Sequence, residues 1–162
     1  MNMKTCGIIT EYNPFHQGHI YHIKKTKELT QCDCLIAIVS NHFTQRGLFS
    51  LLTMQDKTKL ALEAGCNLVI ELPPCYAAQS ADYFAKYAVE SLSQLHIDQI
   101  CFGSETNNIS TLKEYSKQME STQVVPSLSM NQNLYTKNIR PNDILGIQYI
   151  KQCEKYPLYN CS

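Results

Sequence analysis

The chain of 162 residues carries no surplus of charge: 14 basic residues balance 14 acidic ones. A global electrostatic pull on a polyanion is therefore absent, although a local basic patch would suffice for one. Charged residues are only 17% and hydrophobic residues 44%. That balance excludes a disordered chain and fits one packed domain. No apolar run approaches the roughly 20 residues that a membrane-crossing helix needs. The N-terminus, Met1 to Thr5, runs into an apolar segment without a signal-peptide pattern, so the expectation is a cytoplasmic protein with no membrane partner. There is no internal repeat and no low-complexity tract. The eight cysteines lack the spacing of a zinc site, because Cys32 and Cys34 are too close together and have no second close pair. Cys6, Cys66 and Cys101 sit in or beside apolar runs and read as core. A cytoplasmic α/β domain of this size has no need of disulfides.

What is present is an alternation of short apolar runs and helical patterns. Residues 4–10 read as a first strand and 18–30 as a helix whose Lys24, Lys25 and Lys27 read as a solvated face. Residues 34–40, Cys34-Leu35-Ile36-Ala37-Ile38-Val39-Ser40, form a continuous apolar run, as in a strand buried on both faces. Strand, helix and strand in that order make a βαβ unit and imply a parallel sheet. A helix follows over 54–64 and stops at Gly65. A third strand covers 67–72 and ends at Pro73-Pro74. Residues 80–95 carry Ala81, Phe84, Ala88, Leu92 and Leu95 at helical spacing. A fourth strand covers 97–102. A polar helix is expected over 107–121, an irregular segment over 123–138, and a last helix over 143–153 with Asn142 as its N-cap. The tail, 154–162, carries little signal. The fold class is α/β: a Rossmann-like, doubly wound parallel sheet in order 3-2-1-4 with room for a fifth strand.

One stretch organises the rest: Glu11-Tyr12-Asn13-Pro14-Phe15-His16-Gln17-Gly18-His19. It lies where the first strand hands over to the first helix, at the carboxyl edge where open α/β sheets bind ligands. Asn13-Pro14 marks a turn. Gly18 allows close approach. His16 and His19, three apart, share a face of the first helical turn. Two imidazoles beside a helix N-terminus make a site for phosphate. Other strand ends carry chemistry too. Asn41-His42-Phe43-Thr44-Gln45-Arg46-Gly47 follows the second strand. Arg46 there is either a two-pronged phosphate or carboxylate partner or a surface arginine. Gly103-Ser104-Glu105 follows the fourth strand.

His16-Gln17-Gly18-His19 has the His-x-Gly-His form of the nucleotidyltransferase superfamily, and its place between strand and helix strengthens the match. Further blocks narrow it. Residues 7–19, Phe43-Thr44-Gln45-Arg46-Gly47, Leu68-Val69-Ile70-Glu71-Leu72-Pro73, residues 79–85, Phe102-Gly103-Ser104-Glu105 and residues 141–149 stand in one order. Together the chain resembles the bacterial tRNA(Met) cytidine acetate ligases. The resemblance implies a two-step reaction: ATP and acetate give acetyl-adenylate and pyrophosphate. The acetyl group then passes to the wobble cytidine of elongator tRNA(Met), giving N4-acetylcytidine and AMP.

The same resemblance implies roles. His16 and His19 are the catalytic pair at the phosphates. Gly7, Asn13, Gly18, Gly103, Ser104 and Asn142 belong to the ATP pocket, and Glu105 touches ribose or metal. Arg46 holds a phosphate or the acetate. Mg2+ rides mainly on the triphosphate, with no metal ligand set from the protein alone. His22 and His42 are read as structural or exposed, and His96 as a helix-end residue. Residues 1–153 form the nucleotidyltransferase-like domain and 154–162 a tail. The longer C-terminal region of the family, which carries tRNA-binding surface, is not matched. Two alternatives stand beside this reading. One is a truncated nucleotide-binding module without complete activity. The other is a small-molecule nucleotidyltransferase, disfavoured because no Ser-Ser-Thr-x-x-Arg run occurs late in the chain.

Overall fold

The structure, a computed structural model, describes residues 3–121, 139–156 and 160–161. The irregular segment expected over 123–138 lies outside the described residues. Five strands form one sheet: β1 (Thr5–Thr10), β2 (Cys34–Ser40), β3 (Leu68–Leu72), β4 (Gln99–Ile100) and β5 (Asn160–Cys161). Their order is β3-β2-β1-β4-β5 and every pairing is parallel. Six helices are described: α1 (Gln17–Thr30), α2 (Met54–Ala64), α3 (Pro74–Ala77), α4 (Ala81–Gln94), α5 (Ile109–Ser121) and α6 (Pro141–Cys153). None of them is long and apolar enough to cross a membrane.

The alternation of side chains along each strand decides which helices cover which face. Cys6 and Ile8 of β1, with Leu35, Ala37 and Val39 of β2, pack against Ile23 of α1 and Ala61 of α2. Ile9, Ile36, Ile38 and Ile100 point the other way, onto Phe84, Ala88 and Leu92 of α4 and Tyr149 of α6. α5 forms an outer layer, where Leu112 packs on Ile144, Ile147 and Ile150 of α6. The sheet is thus wound on both sides, as a buried parallel sheet must be.

The amino edge of the sheet is stapled by side chains placed one residue before a strand. Asp33 accepts from the backbone N–H of Lys4 (2.8 Å). Asn67 accepts from Leu35 N (2.9 Å). Asp98 accepts from both Thr5 N (2.7 Å) and Thr5 Oγ1 (2.9 Å). With these entry points tied, the longer connections gather at the carboxyl edge, where the candidate site lies.

Three expectations need correction. β4 covers only Gln99–Ile100 rather than 97–102. Beyond it one further bond, Cys101 N to Gly7 O (3.0 Å), holds the chain to β1 before it leaves the sheet for the start of α6. The last helix begins at Pro141, with Arg140 rather than Asn142 in the cap position. A proline fits the first helical position, since its missing N–H would have no partner there and its φ is already helical. Within the expected tail, Asn160–Cys161 forms the edge strand β5 on β4.

Gly7 stands in mid-strand. A Cβ there would come within 2.7 Å of Leu92 Cδ1 and of Ile97 Cδ1. Its bare backbone lets α4 and the segment after it close on the strand. Gly7→Ala is expected to destabilise the fold by about 1–3 kcal/mol through overpacking, read as a lower urea midpoint. Leu92→Ala in that background is expected to add less than it does alone, because it removes one of the clashing partners. Full additivity would dismiss this contact.

Candidate functional site

After β1 the chain turns sharply. Tyr12 is buried, 1% exposed, with φ at 49°, in the left-handed region that few bulky residues adopt. The Asn13–Pro14 peptide is cis. His16 is extended and caps α1. Its Nδ1 accepts from Gly18 N (3.0 Å), and its own backbone N–H donates to His19 Nδ1 (3.2 Å). This is a capping box made by two histidines in place of the usual Ser/Thr and Glu. Each Nδ1 is an acceptor, so each neutral ring carries its proton on Nε2. The motif therefore offers two Nε2–H donors one helical turn apart, with ring centroids 4.0 Å from each other.

His19 is also packed by aromatics. Tyr12 meets it edge-on with centroids 4.9 Å apart, and Phe15 lies tilted at 5.5 Å. Burial, then His16, then His22 lower its pKa from 6.5 to about 4, so it is neutral near pH 7. Gly18 has a specific reason to be glycine: a Cβ would sit 2.8 Å from His16 Cε1. The helix N-terminus is less open than the motif suggested. Gly18 N is used by His16, and His19 N bonds His16 O at 2.9 Å.

At the end of β4, Gly103 leaves open space where a Cβ would be. Ser104 Oγ accepts from Asn107 N (2.9 Å). Glu105, expected at ribose or metal, is instead spent on α6. Its Oε1 accepts from Asn142 N (3.3 Å) and Nδ2 (3.0 Å), and its Oε2 from Asp143 N (3.0 Å). A carboxylate suits a helix N-terminus because it answers both the orphan amides and the dipole. Asp143, 3% exposed, returns the contact through Thr106 N (2.9 Å) and Thr106 Oγ1 (2.7 Å). Asn142 is thus at the carboxyl edge, but as a partner of Glu105.

The loop after β2 brings Arg46 to the rim of a cavity of about 680 Å3, lined also by Glu11, Gln79, Ser80, Asn142 and Leu145. The Arg46 guanidinium is exposed and has no hydrogen-bond or ion-pair partner among the described residues. Asn13 Oδ1 accepts from Leu51 N (2.6 Å), tying the motif turn to the same loop. The expected residues thus share one edge but not one cavity: Arg46 and Asn142 line this one, while His16, His19, Gly103 and Ser104 do not. A wider recess of about 940 Å3, bordered by Leu51, Met54 and Lys59, holds none of them. His42 and His96 are exposed. His22 is half-buried, with Nε2 unpartnered.

Three contributors were not singled out from sequence. Tyr12 and Phe15 lay inside the quoted motif without a role. Lys57 lay in α2, only 1% exposed. Its signal was spacing: Met54, Lys57, Ala61 and Ala64 fall at helical intervals, which puts the lysine on the face that packs on the sheet.

A doubly wound parallel sheet whose first strand turns through two capping histidines into a helix has the build of a nucleotidyltransferase. The chain belongs to the HIGH nucleotidyl transferase family, whose model matches residues 3–158. It is 41% identical to a protein of Geobacillus sp. (strain WCH70) named tRNA(Met) cytidine acetate ligase, across 92% of this chain and 42% of that one. It is also 41% identical to the tRNA(Met) cytidine acetate ligase of Clostridium novyi (strain NT), across 94% of this chain and 44% of the relative. Among solved structures, Thermotoga maritima TmcAL bound with alpha-thio ATP superposes with a TM-score of 0.84 at 29% identity. That match covers 99% of this chain and 46% of the other. The chain therefore spans somewhat less than half the length of the relatives it matches.

The depressed pKa of His19 has a thermodynamic consequence. Between pH 6.5 and about 4 the unfolded chain binds a proton at residue 19 that the folded chain refuses. Stability is therefore lost as pH falls through that window. His22, whose pKa burial also lowers, acts in the same direction. His19→Ala is expected to flatten the fall in urea midpoint between those pH values without abolishing it. Parallel curves for the two proteins would show that His19 is not held neutral.

Proposed function

We propose that this chain is the nucleotide-activating part of an ATP-dependent acetate ligase acting on tRNA, with residues 1–153 forming the working domain. The observation that carries this reading is the reciprocal cap of His16 and His19, which leaves two Nε2–H donors at a helix N-terminus on the carboxyl edge. In the first step an acetate oxygen attacks the α-phosphate of ATP and pyrophosphate leaves, forming acetyl-adenylate. Negative charge gathers on the phosphate oxygens during transfer, so fixed donors and good alignment are what lower the barrier. His16 and His19 supply the donors, and the dipole of α1 adds to them. The amine of a cytidine then attacks the acetyl carbonyl, losing a proton, and AMP departs.

Asn13, Gly18, Gly103, Ser104 and Asn142 border the edge where the nucleotide would lie. Gly7, deeper in β1, contributes by letting α4 close on the strand. The exposed guanidinium of Arg46 is suited to a phosphate or to acetate. No group of three or more His, Cys, Asp or Glu side chains that could hold a metal occurs among the described residues. Magnesium would arrive on the triphosphate, where it neutralises charge. Elongator tRNA(Met) is the acceptor this reading assigns, with cytoplasmic location to match.

A second reading has an observation in its favour. The chain spans 42–46% of its relatives, which fits a nucleotide-binding module that needs further chain to complete the reaction.

Acetate-dependent exchange of labelled pyrophosphate into ATP decides between them. The proposed ligase chemistry predicts exchange that needs acetate and magnesium, falls by at least about a hundredfold in His19→Ala, and weakens in Arg46→Ala through a raised KM for ATP or acetate. ATP binding by calorimetry without exchange would select the module reading. Neither binding nor exchange would remove both.

A further inference from the structure

Lys57 is the least expected charge in the fold. It lies on α2 between Met54 and Ala61, facing the sheet, and is 1% exposed. Burying an ammonium is unfavourable unless it is hydrogen-bonded and faces an opposite charge. Lys57 has both. Its Nζ donates to Ser40 O at 2.7 Å and to Asn41 O at 3.1 Å. Those are the last carbonyl of β2 and the first of the loop that follows, where the pairing with β3 ends at Ser40 and Leu72. Burial lowers the pKa of Lys57, and the charge of Glu11, just after β1, partly opposes that.

Glu11 leads onward. Its carboxylate accepts the backbone N–H of Gln45. The Gln45 side chain donates in turn to Gln79 O at 2.8 Å, so this residue is clamped between β1 and the turn before α4. Arg46 is next in the chain, with its N–H on Thr44 Oγ1 at 2.9 Å. Glu11 and Arg46 line the same cavity.

We propose that Lys57 is a positioning residue. Its buried ammonium ties the last carbonyl of β2 and the first of the following loop to α2; with Glu11 on the Gln45 amide of the same loop, it holds Arg46 at the cavity rim, ready for an anionic substrate group. The last clause rests on the reading of Arg46 given above; the hold on the loop does not. Lysine serves where an apolar residue of similar length fails, because its Nζ donates to two carbonyl oxygens at once.

Two measurements test this. The first is amide hydrogen exchange on the unliganded protein. In Lys57→Met the Gln45 amide is expected to exchange at least about tenfold faster, as for a lost hydrogen bond to a charged group, while Ile8 and Ile70 in the strands keep their protection. Lys57→Arg is expected to recover part of the effect. Lys57→Gln, which keeps a donor on a shorter stem, carries the same expectation in smaller degree and serves if Lys57→Met does not fold. Unchanged Gln45 exchange in a folded variant overturns the proposal.

The second is a double-mutant cycle read by the Kd for ATP. Lys57→Met and Arg46→Ala should each weaken binding, and the double variant should bind no more weakly than Arg46→Ala alone. Additive losses overturn the link through Arg46. If the unaltered protein binds no ATP, the functional reading fails, and the exchange result still decides whether Lys57 holds the loop.

Discussion

Two hydrogen bonds, from Gly18 N to His16 Nδ1 and from His16 N to His19 Nδ1, close the turn on which the carboxyl edge depends. They turn the chain from strand into helix, satisfy amides that would otherwise be orphaned, and settle the tautomer of both rings at once. Gly18 is required because the His16 ring lies over it. Tyr12, held at positive φ in the core, presses its ring against His19. Residues in such sparsely populated conformations persist only where surrounding contacts over-determine them, and here the surroundings are the aromatic faces of Phe15 and His19.

The rest of the edge sorts its charges into those consumed by the fold and those left over. Glu105 is consumed by the start of α6, and Asp143 by the loop that carries Glu105. Lys57 is consumed by the end of β2. The Arg46 guanidinium has no partner among the described residues, and it stands on a cavity that His16 and His19 do not line. At the opposite edge, Asp33, Asn67 and Asp98 make each incoming strand fast to its neighbour, so the two ends of the sheet differ in kind: one is stapled, the other is left for chemistry.

Most of the fold was legible because the signals were local. Apolar runs of strand length, helical spacing over residues 54–64 and 80–95, and Gly65 as a stop all depend on neighbours in the chain. The expected sheet order is that of the doubly wound nucleotide-binding folds, and the structure has it with β5 added beside β4. The site was legible as a motif and much less so as a set of contacts. Glu105 and Asn142 are 37 residues apart in sequence, and no periodicity tells that one caps the helix of the other. Asn142 was expected as an N-cap because asparagine favours that position; Pro141, better suited to the first helical position, moved the start of the helix ahead of it.

The sequence by itself determined the layered α/β sheet, the place of the His16–His19 turn at its carboxyl edge, and the need for glycine at 18, because backbone propensity and short-range spacing act before distant segments meet. Only the tertiary structure decided which side chains stay available. Whether a carboxylate or an ammonium is free depends on the partners that folding brings to it and on how much water it loses. By that measure Glu105 and Lys57 became parts of the frame, His19 became a neutral ring, and Arg46 remained exposed without a partner among the described residues.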